Sequence, residues 1–483
     1  MIADLETPVS LMLKLAADLP NSFLLESVEG GAVRGRYSMI GLRPDVIWRA
    51  QGNQAEINRR ALDDPDAFEP CPRDTLESLR ALLAESAINL DAEMPPMMAG
   101  VFGYLGYDTV RLIEKLPSQN TDTLRVPDGL LMRPTIMAIF DSVKDEIIIS
   151  TPVRPDETIS AGHAYQAAEL RLSDVLKALA KPLPPPDATP TPPPCAPVEP
   201  VSNTTQAAYC AMVEKAKDYI AAGDIFQVVP SQRFEMPFAL PPFALYRSLR
   251  RLNPSPFLFY LNFGAFSVVG SSPEILVRLR DGRVTIRPIA GTRPRGRTPA
   301  EDRALAKELL EDPKERAEHL MLLDLGRNDV GRVTIIGSVA VTESFALEYY
   351  SHVMHIISNV EGALAPGEDA ISALVAGFPA GTVSGAPKVR AMEIIDELEE
   401  DKRGIYAGCV GYFSANGSMD TCIALRTAVV KDGKVYAQAG GGVVADSDPE
   451  TEYQESVNKA KAVFSAVQDA VRFAGQTPHK SSS

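Results

Sequence analysis

The residues best suited to chemistry are carboxylates at helical spacing. Asp312-Pro313 reads as an N-cap followed by proline at the first helical position, so a helix opens there. It carries Glu315 and Glu318 on one face. Glu315 also occupies the capping-box position, which is its structural reading. A second helix opening at Asp448-Pro449 carries Glu452, Glu455 and Lys459 along one side. Spacing alone favours a solvated face there, with a Glu455–Lys459 ion pair of about 0.2–0.5 kcal/mol. Gly440, Gly441 and Gly442 tilt that reading, because consecutive glycines after a strand let backbone amides approach an anion. Carboxylates beside an anion need a cation between them, and hard oxygen ligands at this spacing suit Mg²⁺ with retained waters.

Three further groups carry weaker signals. Residues 378–388 bring Gly381, Thr382, Ser384, Gly385 and Lys388 to a helix start, an anion cradle in composition but not a Walker loop. Arg287, Arg293, Arg295 and Arg297 concentrate positive charge around 288–292, although the last two read as surface arginines. His352 and His355 lie among apolar neighbours, where a histidine is more often packed than an acid, a base or a ligand. Chemistry alone assigns a role to neither.

The elements that must position these groups read as an α+β layered fold. Beyond residue 200 an amphipathic helix over 209–220 closes at Gly223. Strands follow at 227–233, 257–269 (two around a turn) and 275–286, then helices at 302–311 and from 313. Strands return at 406–413, 421–429 and 435–438, an order that suits stacked layers rather than a βαβ repeat. The first 180 residues alternate short β patterns with helical stretches at 75–84 and 161–179. Ten prolines between Lys181 and Pro200 mark an extended spacer. The expected divisions are an N-terminal region 1–180, a linker 181–202, a catalytic domain 203–472 and a disordered tail 473–483.

The 483 residues, 45% hydrophobic and 23% charged, suffice for a large core. A net charge of −15 disfavours nucleic acid and anionic membranes as partners. Five cysteines without a CxxC pair argue against disulfides and structural zinc, and suit a reducing cytosol. The acidic N-terminus lacks the pattern of a signal peptide. Residues 252–273 carry no charge, but Pro254, Pro256, Asn262 and Gly264 interrupt them, so they read as buried strands rather than a membrane span. The expected location is the cytoplasm.

The segments 288–293 (Pro-Ile-Ala-Gly-Thr-Arg), 318–329, 353–355, 381–388 and 439–444 together resemble the chorismate-utilising enzymes, most of all the large aminating components of anthranilate synthases. The resemblance spans residues 203 to about 470, and more loosely 24–27 and 36–41. It implies a four-layer αββα sandwich of two central antiparallel sheets, with the site in the cleft between them. It places Mg²⁺ on Glu318 and Glu455, with Glu452 acting through water. Gly440, Gly441, Gly442 and Lys459 would lie at the ring carboxylate of chorismate, Gly291, Thr292 and Thr382 near the substrate, and Tyr406 and Arg426 at the enolpyruvyl carboxylate. Glu315 and His355 fall where the family assists loss of the ring hydroxyl and elimination of pyruvate.

Two positions separate branches of that family. Aminodeoxychorismate synthases of component I type resemble this chain but carry a nucleophilic lysine where Ala290 stands. Isochorismate-forming members carry a lysine base at the position of Gln227, and glutamine cannot deprotonate water. The resemblance therefore implies conversion of chorismate and ammonia to anthranilate and pyruvate, the first committed step of tryptophan biosynthesis. The alternatives are an aminodeoxychorismate synthase or a non-catalytic relative that binds chorismate or tryptophan. Cys409 misses the Gly-x-Cys-x-Gly elbow of a glutaminase, so ammonia from glutamine would need a separate amidotransferase subunit in a hetero-oligomer. Glu26, Ser27, Pro256, Phe257 and Leu258 match segments that line a remote inhibitory tryptophan site in anthranilate synthases.

Overall fold

Two long strands organise the molecule, Val33–Gln51 and Gly129–Asp141, antiparallel to one another with a register shift between Pro44 and Val46. Arg43, beside that shift, has φ 51°. The first part of Val33–Gln51 pairs with Ser22–Glu29 and its end with Gln54–Asn58. Gly129–Asp141 pairs first with Gly100–Leu105 and then with Glu146–Ser150. Each long strand thus crosses from one half of the β-structure to the other. The two expected sheets are halves of one 20-stranded hydrogen-bonded sheet folded over on itself. This computed structural model describes all residues except 17–18, 30–32, 92, 118–119, 155–157, 184–198, 351–352 and 475–483. Most of the proline-rich linker and the tail therefore lie outside the described residues.

Alternation along the strands builds the layers. Phe23, Met39, Phe102, Phe259 and Tyr412 point between the two halves, where Phe23 stacks on Phe102 at 4.7 Å and Phe102 on Tyr412 at 5.4 Å. Leu24, Ile40 and Leu258 point outward, under helices Pro8–Ala16, Ala161–Leu179, Pro242–Leu252 and Pro449–Ala474. On the opposite outer face Trp48, Val101 and Phe413 meet Thr75–Ser86, Pro313–Gly331, Ala370–Gly377 and Lys388–Leu398. The result is helix, sheet, sheet, helix. Burying each large apolar side chain contributes about 1.5–3 kcal/mol. The region before the linker shares these layers: Ser22–Glu29 pairs with Phe257–Asn262, and Gly100–Leu105 with Cys409–Ser414. Val201–Ser202, the end of the expected linker, already pairs with Phe234 and Glu235.

The helix signals hold. Asp74 caps Thr75–Ser86, Gly223 at φ 83° ends Gln206–Ala222, and the Asp312 carboxylate accepts from the Lys314 and Glu315 amides. Four strand expectations need correction. The strand expected at 275–286 is a hairpin of Ile275–Arg280 and Arg283–Ile286, turning at Asp281 with φ 51° and Gly282 with φ 70°. The strand expected at 227–233 divides at Pro230, which has no N–H to give: Gln227–Val228 pairs with Gly385–Ala386 in a separate small sheet, and Ser231–Pro237 joins the main one. The strand expected at 406–413 begins only at Cys409, after a turn with Ala407 at φ 63°. The strand expected at 421–429 breaks into Met419–Ile423 and Thr427–Lys431. Arg426 sits in the break at φ 47°, so its side chain leaves the alternation of either strand.

Candidate active site

The site has a carboxylate face and an inner wall. On the face, Gln227 Nε2 donates to Glu318 Oε1 at 3.1 Å. Burial raises the Glu318 carboxyl above its usual range; the Gln227 bond opposes this, and the nearby Glu315 and Glu455 carboxylates add to it. Helices Pro313–Gly331 and Pro449–Ala474 therefore bring their acids to one place. Glu455 pairs with Lys459 at 2.7 Å with both side chains about half exposed, as the solvated-face reading expects. Lys459 Nζ also donates to the Gly440 carbonyl at 2.9 Å. Glu452 is buried; Ser447 Oγ donates to its Oε1 at 2.7 Å, and its Oε2 has no partner.

The glycine run lies directly against these groups. A Cβ on Gly441 would fall 2.7 Å from Glu452 Oε2, and one on Gly442 would fall 2.6 Å from Gln227 Nε2. Among the described residues no three acidic, histidine or cysteine side chains stand close enough to hold a metal as placed. The donor set nevertheless fits a hard cation. It is all oxygen, contains one buried orphan oxygen, and holds like charges that a cation would relieve. Glu315 forms no capping box. Arg293 Nη1 donates to its Oε1 at 2.9 Å, while Arg293 Nη2 donates to Asp312 Oδ2 at 2.6 Å. Arg287 pairs with Glu348 and Arg295 with Asp302, so the arginine concentration is neutralised locally.

The inner wall is set by burial. His355 Nδ1 lies 3.2 Å from the Gly291 carbonyl and 2.9 Å from Thr292 Oγ1. Burial, with the positive charge of Arg426 nearby, lowers its pKa to about 4, so the ring is neutral at physiological pH. A neutral ring donating from Nδ1 to the carbonyl keeps its Nε2 lone pair free. Gly291 adopts φ 83°, and a Cβ there would meet Ile356 at 3.1 Å and Glu315 Oε2 at 3.2 Å. Arg426 is half-buried, and no carboxylate among the described residues pairs with it. Desolvation lowers its pKa, and only Tyr350 acts in the other direction. Tyr406 is buried, its hydroxyl pushed up to about 12 by desolvation although the Gly440 amide hydrogen-bonds to it.

Sequence reasoning missed Glu274. It is 5% exposed, and burial lifts its carboxyl to about 8 against the opposing Thr382 hydroxyl and Ile289 amide. Thr382 Oγ1 lies 3.2 Å from Glu274 Oε2. The available signal was its place as the first charge after the uncharged stretch 252–273, at the head of the buried strand Ile275–Arg280. The anion cradle expected over 378–388 forms differently. Lys388 Nζ is taken up by Asp329 Oδ2 at 2.8 Å, and Thr382 faces a carboxyl group. His352 lies outside the described residues. Cys409 is buried in its strand with its thiol pushed up to about 12, which no acyl-transfer nucleophile would tolerate.

The remote segments do come together. Glu26 pairs with Leu258 and Ser27 with Phe257 across antiparallel strands, and Ser27 sits at the register shift with Val33–Gln51. Glu26 is already engaged by Arg250 Nη2 at 2.9 Å and by the Tyr246 hydroxyl. Pro256 and Phe257 are partly exposed, while Leu258 is buried.

The family model for chorismate binding enzymes matches residues 23–465, and the chain belongs to that family. Its relatives there are the first components of anthranilate synthases. It is 62% identical over 478 residues to anthranilate synthase component 1 of Cereibacter sphaeroides, covering 98% of this chain and 94% of that protein. To the Pseudomonas putida component 1 it is 49% identical over 476 residues, covering 96% and 94%. The crystal structure of component I from Streptococcus pneumoniae superposes with TM-score 0.78 at 36% identity, over 96% of this chain and 99% of that one. The menaquinone-specific isochorismate synthase of Escherichia coli shares the fold, with TM-score 0.68 at 21% identity over 94% and 91%. Among the described residues no helix is long and apolar enough to cross a membrane.

Proposed function

We propose that this chain converts chorismate and ammonia to anthranilate, pyruvate and water, as an Mg²⁺-dependent lyase. The observation that carries the reading is the inner wall: an unpaired Arg426 beside a neutral His355, with a carboxyl that remains protonated at Glu274. Arg426 and Tyr406 grip the enolpyruvyl carboxylate. Glu318 and Glu455 hold Mg²⁺, with Glu452 acting through water, and the ion supplies the positive charge that lets the ring carboxylate approach the acidic face. Glu274 gives its proton to the ring hydroxyl as ammonia adds at ring carbon 2, so the hydroxyl leaves as water and the new ammonium sheds its extra proton to solvent, leaving the neutral amine. The Nε2 lone pair of His355 then takes the proton from carbon 2, and the enolpyruvyl group departs to become pyruvate. Glu315, ion-paired with Arg293, stands beside the Gly291 turn.

Gln227 excludes a water-activating base at its position, and the buried thiol of Cys409 supports a separate amidotransferase subunit as the source of ammonia. The relatives' designation as component 1 accords with such a partner. The adjacency of Ser27 and Phe257 supports feedback by tryptophan at a site away from the wall, with Glu26 shared between Arg250 and the incoming ammonium. The test is fluorescence of anthranilate formed by the purified chain from chorismate, ammonia and Mg²⁺. No product with ammonia, or efficient product from glutamine without a second subunit, would overturn the reading.

A further inference from the structure

The segments that carry the site meet at one buried side chain to which no substrate contact is assigned. Arg403 is 2% exposed. Its Nη2 donates to the Val229 carbonyl at 2.6 Å and its Nη1 to the Val383 carbonyl at 2.7 Å. These carbonyls belong to the segments bearing Gln227 and Thr382. Its Nε and Nη2 also fork onto Glu399, at 3.0 Å and 2.6 Å. Glu399 Oε1 in turn accepts from the Ser231 amide at 2.9 Å and hydroxyl at 2.8 Å, and Ser231 pairs with Gly440 at the head of the glycine run. The guanidinium lies 5.5 Å from the Tyr406 ring centre and 4.9 Å from that of Tyr107. Tyr107 belongs to the N-terminal region, and its amide donates to the Gly404 carbonyl at 2.7 Å.

We propose that Arg403, fixed by Glu399 and roofed by Tyr107, is the positioning residue that sets the spacing of the Gln227, Thr382, Tyr406 and Gly440 segments, and so links the N-terminal region to the chorismate cradle. A planar fork suits this task because its donors diverge at fixed angles and remain charged at any working pH. A lysine would keep the charge for Glu399 but could not hold two carbonyls on opposite sides. A buried carbonyl left without its donor is costly, so the segments would drift until they found other partners.

The inference rests on the proposed reaction for its kinetic readout and is independent of it for its structural one. In Arg403→Lys the apparent KM for chorismate should rise about tenfold or more, the size expected for a lost hydrogen bond to a charged group, with kcat changed less. Amide hydrogen exchange should show protection falling together at 227–231 and 381–385. Glu399→Gln, a milder change, should move both readouts in the same direction. Leu82→Ala, in the core under helix Thr75–Ser86, should lower Tm and leave both readouts alone. Folded Arg403→Lys or Glu399→Gln with wild-type KM and wild-type exchange at both segments would overturn the inference, as would a raised KM with protection lost at both segments in Leu82→Ala. A wild-type chain that makes no anthranilate would sink the reaction while the exchange data still decided the bracing.

Discussion

In the proposed reaction the carboxylate face and the inner wall would meet the same ligand by opposite means. On the face, charges sit on the sides of two helices, and Glu455 and Glu315 already have partners in Lys459 and Arg293. What those groups do depends on what arrives to displace or join the partners. On the wall, among the described residues, Glu274 is hydrogen-bonded by a hydroxyl and an amide, no carboxylate pairs with Arg426, and His355 is neutral. Burial, joined at His355 by the charge of Arg426, sets the protonation states of Glu274 and His355 before any substrate enters. On the proposed reaction, the wall would be preorganised for proton transfer and the face for uptake of charge.

The sharpest way to break that comparison is Glu274→Gln, which keeps the shape and removes the proton. It should lower kcat by about 10²–10⁴-fold with little change in KM, followed by anthranilate fluorescence. A loss under tenfold would move the proton source elsewhere. Next in size, Glu318→Gln or Glu455→Gln should lose on the order of 10²-fold, and a chelator should do the same to wild type. Full turnover in excess chelator would remove the metal from the face. The pH profile then tests the wall without a mutation. Because the Glu274 pKa of about 8 lies above the ordinary 4.5, its acid form persists through neutrality. Turnover per free ammonia should stay level below pH 8 and fall as pH rises through it, and Glu274→Gln should lack this limb. The smallest effect on turnover belongs to Ser27→Phe. It should leave ammonia-dependent activity near wild type while abolishing tryptophan inhibition, and calorimetry showing tryptophan binding unaffected by it would refute the remote site. Typical couplings of about 1–3 kcal/mol would make that inhibition a ~5–150-fold change in chorismate affinity.

The face was more legible in sequence than the wall, for a physical reason. Asp312, Asp448 and their following prolines announce helix starts, and once a helix is placed its period aligns Glu318 or Glu455 without further information. Glu274 and Arg426 owe their states to strands distant in sequence and to a backbone break. The alternation of apolar residues through 421–429 concealed the left-handed turn at Arg426. Lys388 misled for the same reason. Its helix-start position suggested an anion, whereas Asp329, far back in the chain, had already claimed it. The layered fold followed from the order of strands and helices, but local periodicity does not reveal that two strands run through both halves.

Those two strands also bear on how the chain is made. Gly100–Leu105 lies between Gly129–Asp141 and Cys409–Ser414, and its second neighbour is translated about 300 residues later. At roughly 5–20 residues per second that interval is about 15–60 s. Throughout it, the nascent N-terminal region must carry an open β-edge at Gly100–Leu105, where Phe102 awaits the Tyr412 ring on which it stacks in the finished protein. Biogenesis should therefore depend on chaperone protection during synthesis, and release of the region ending at residue 180 as a separate polypeptide should yield aggregate rather than a folded unit.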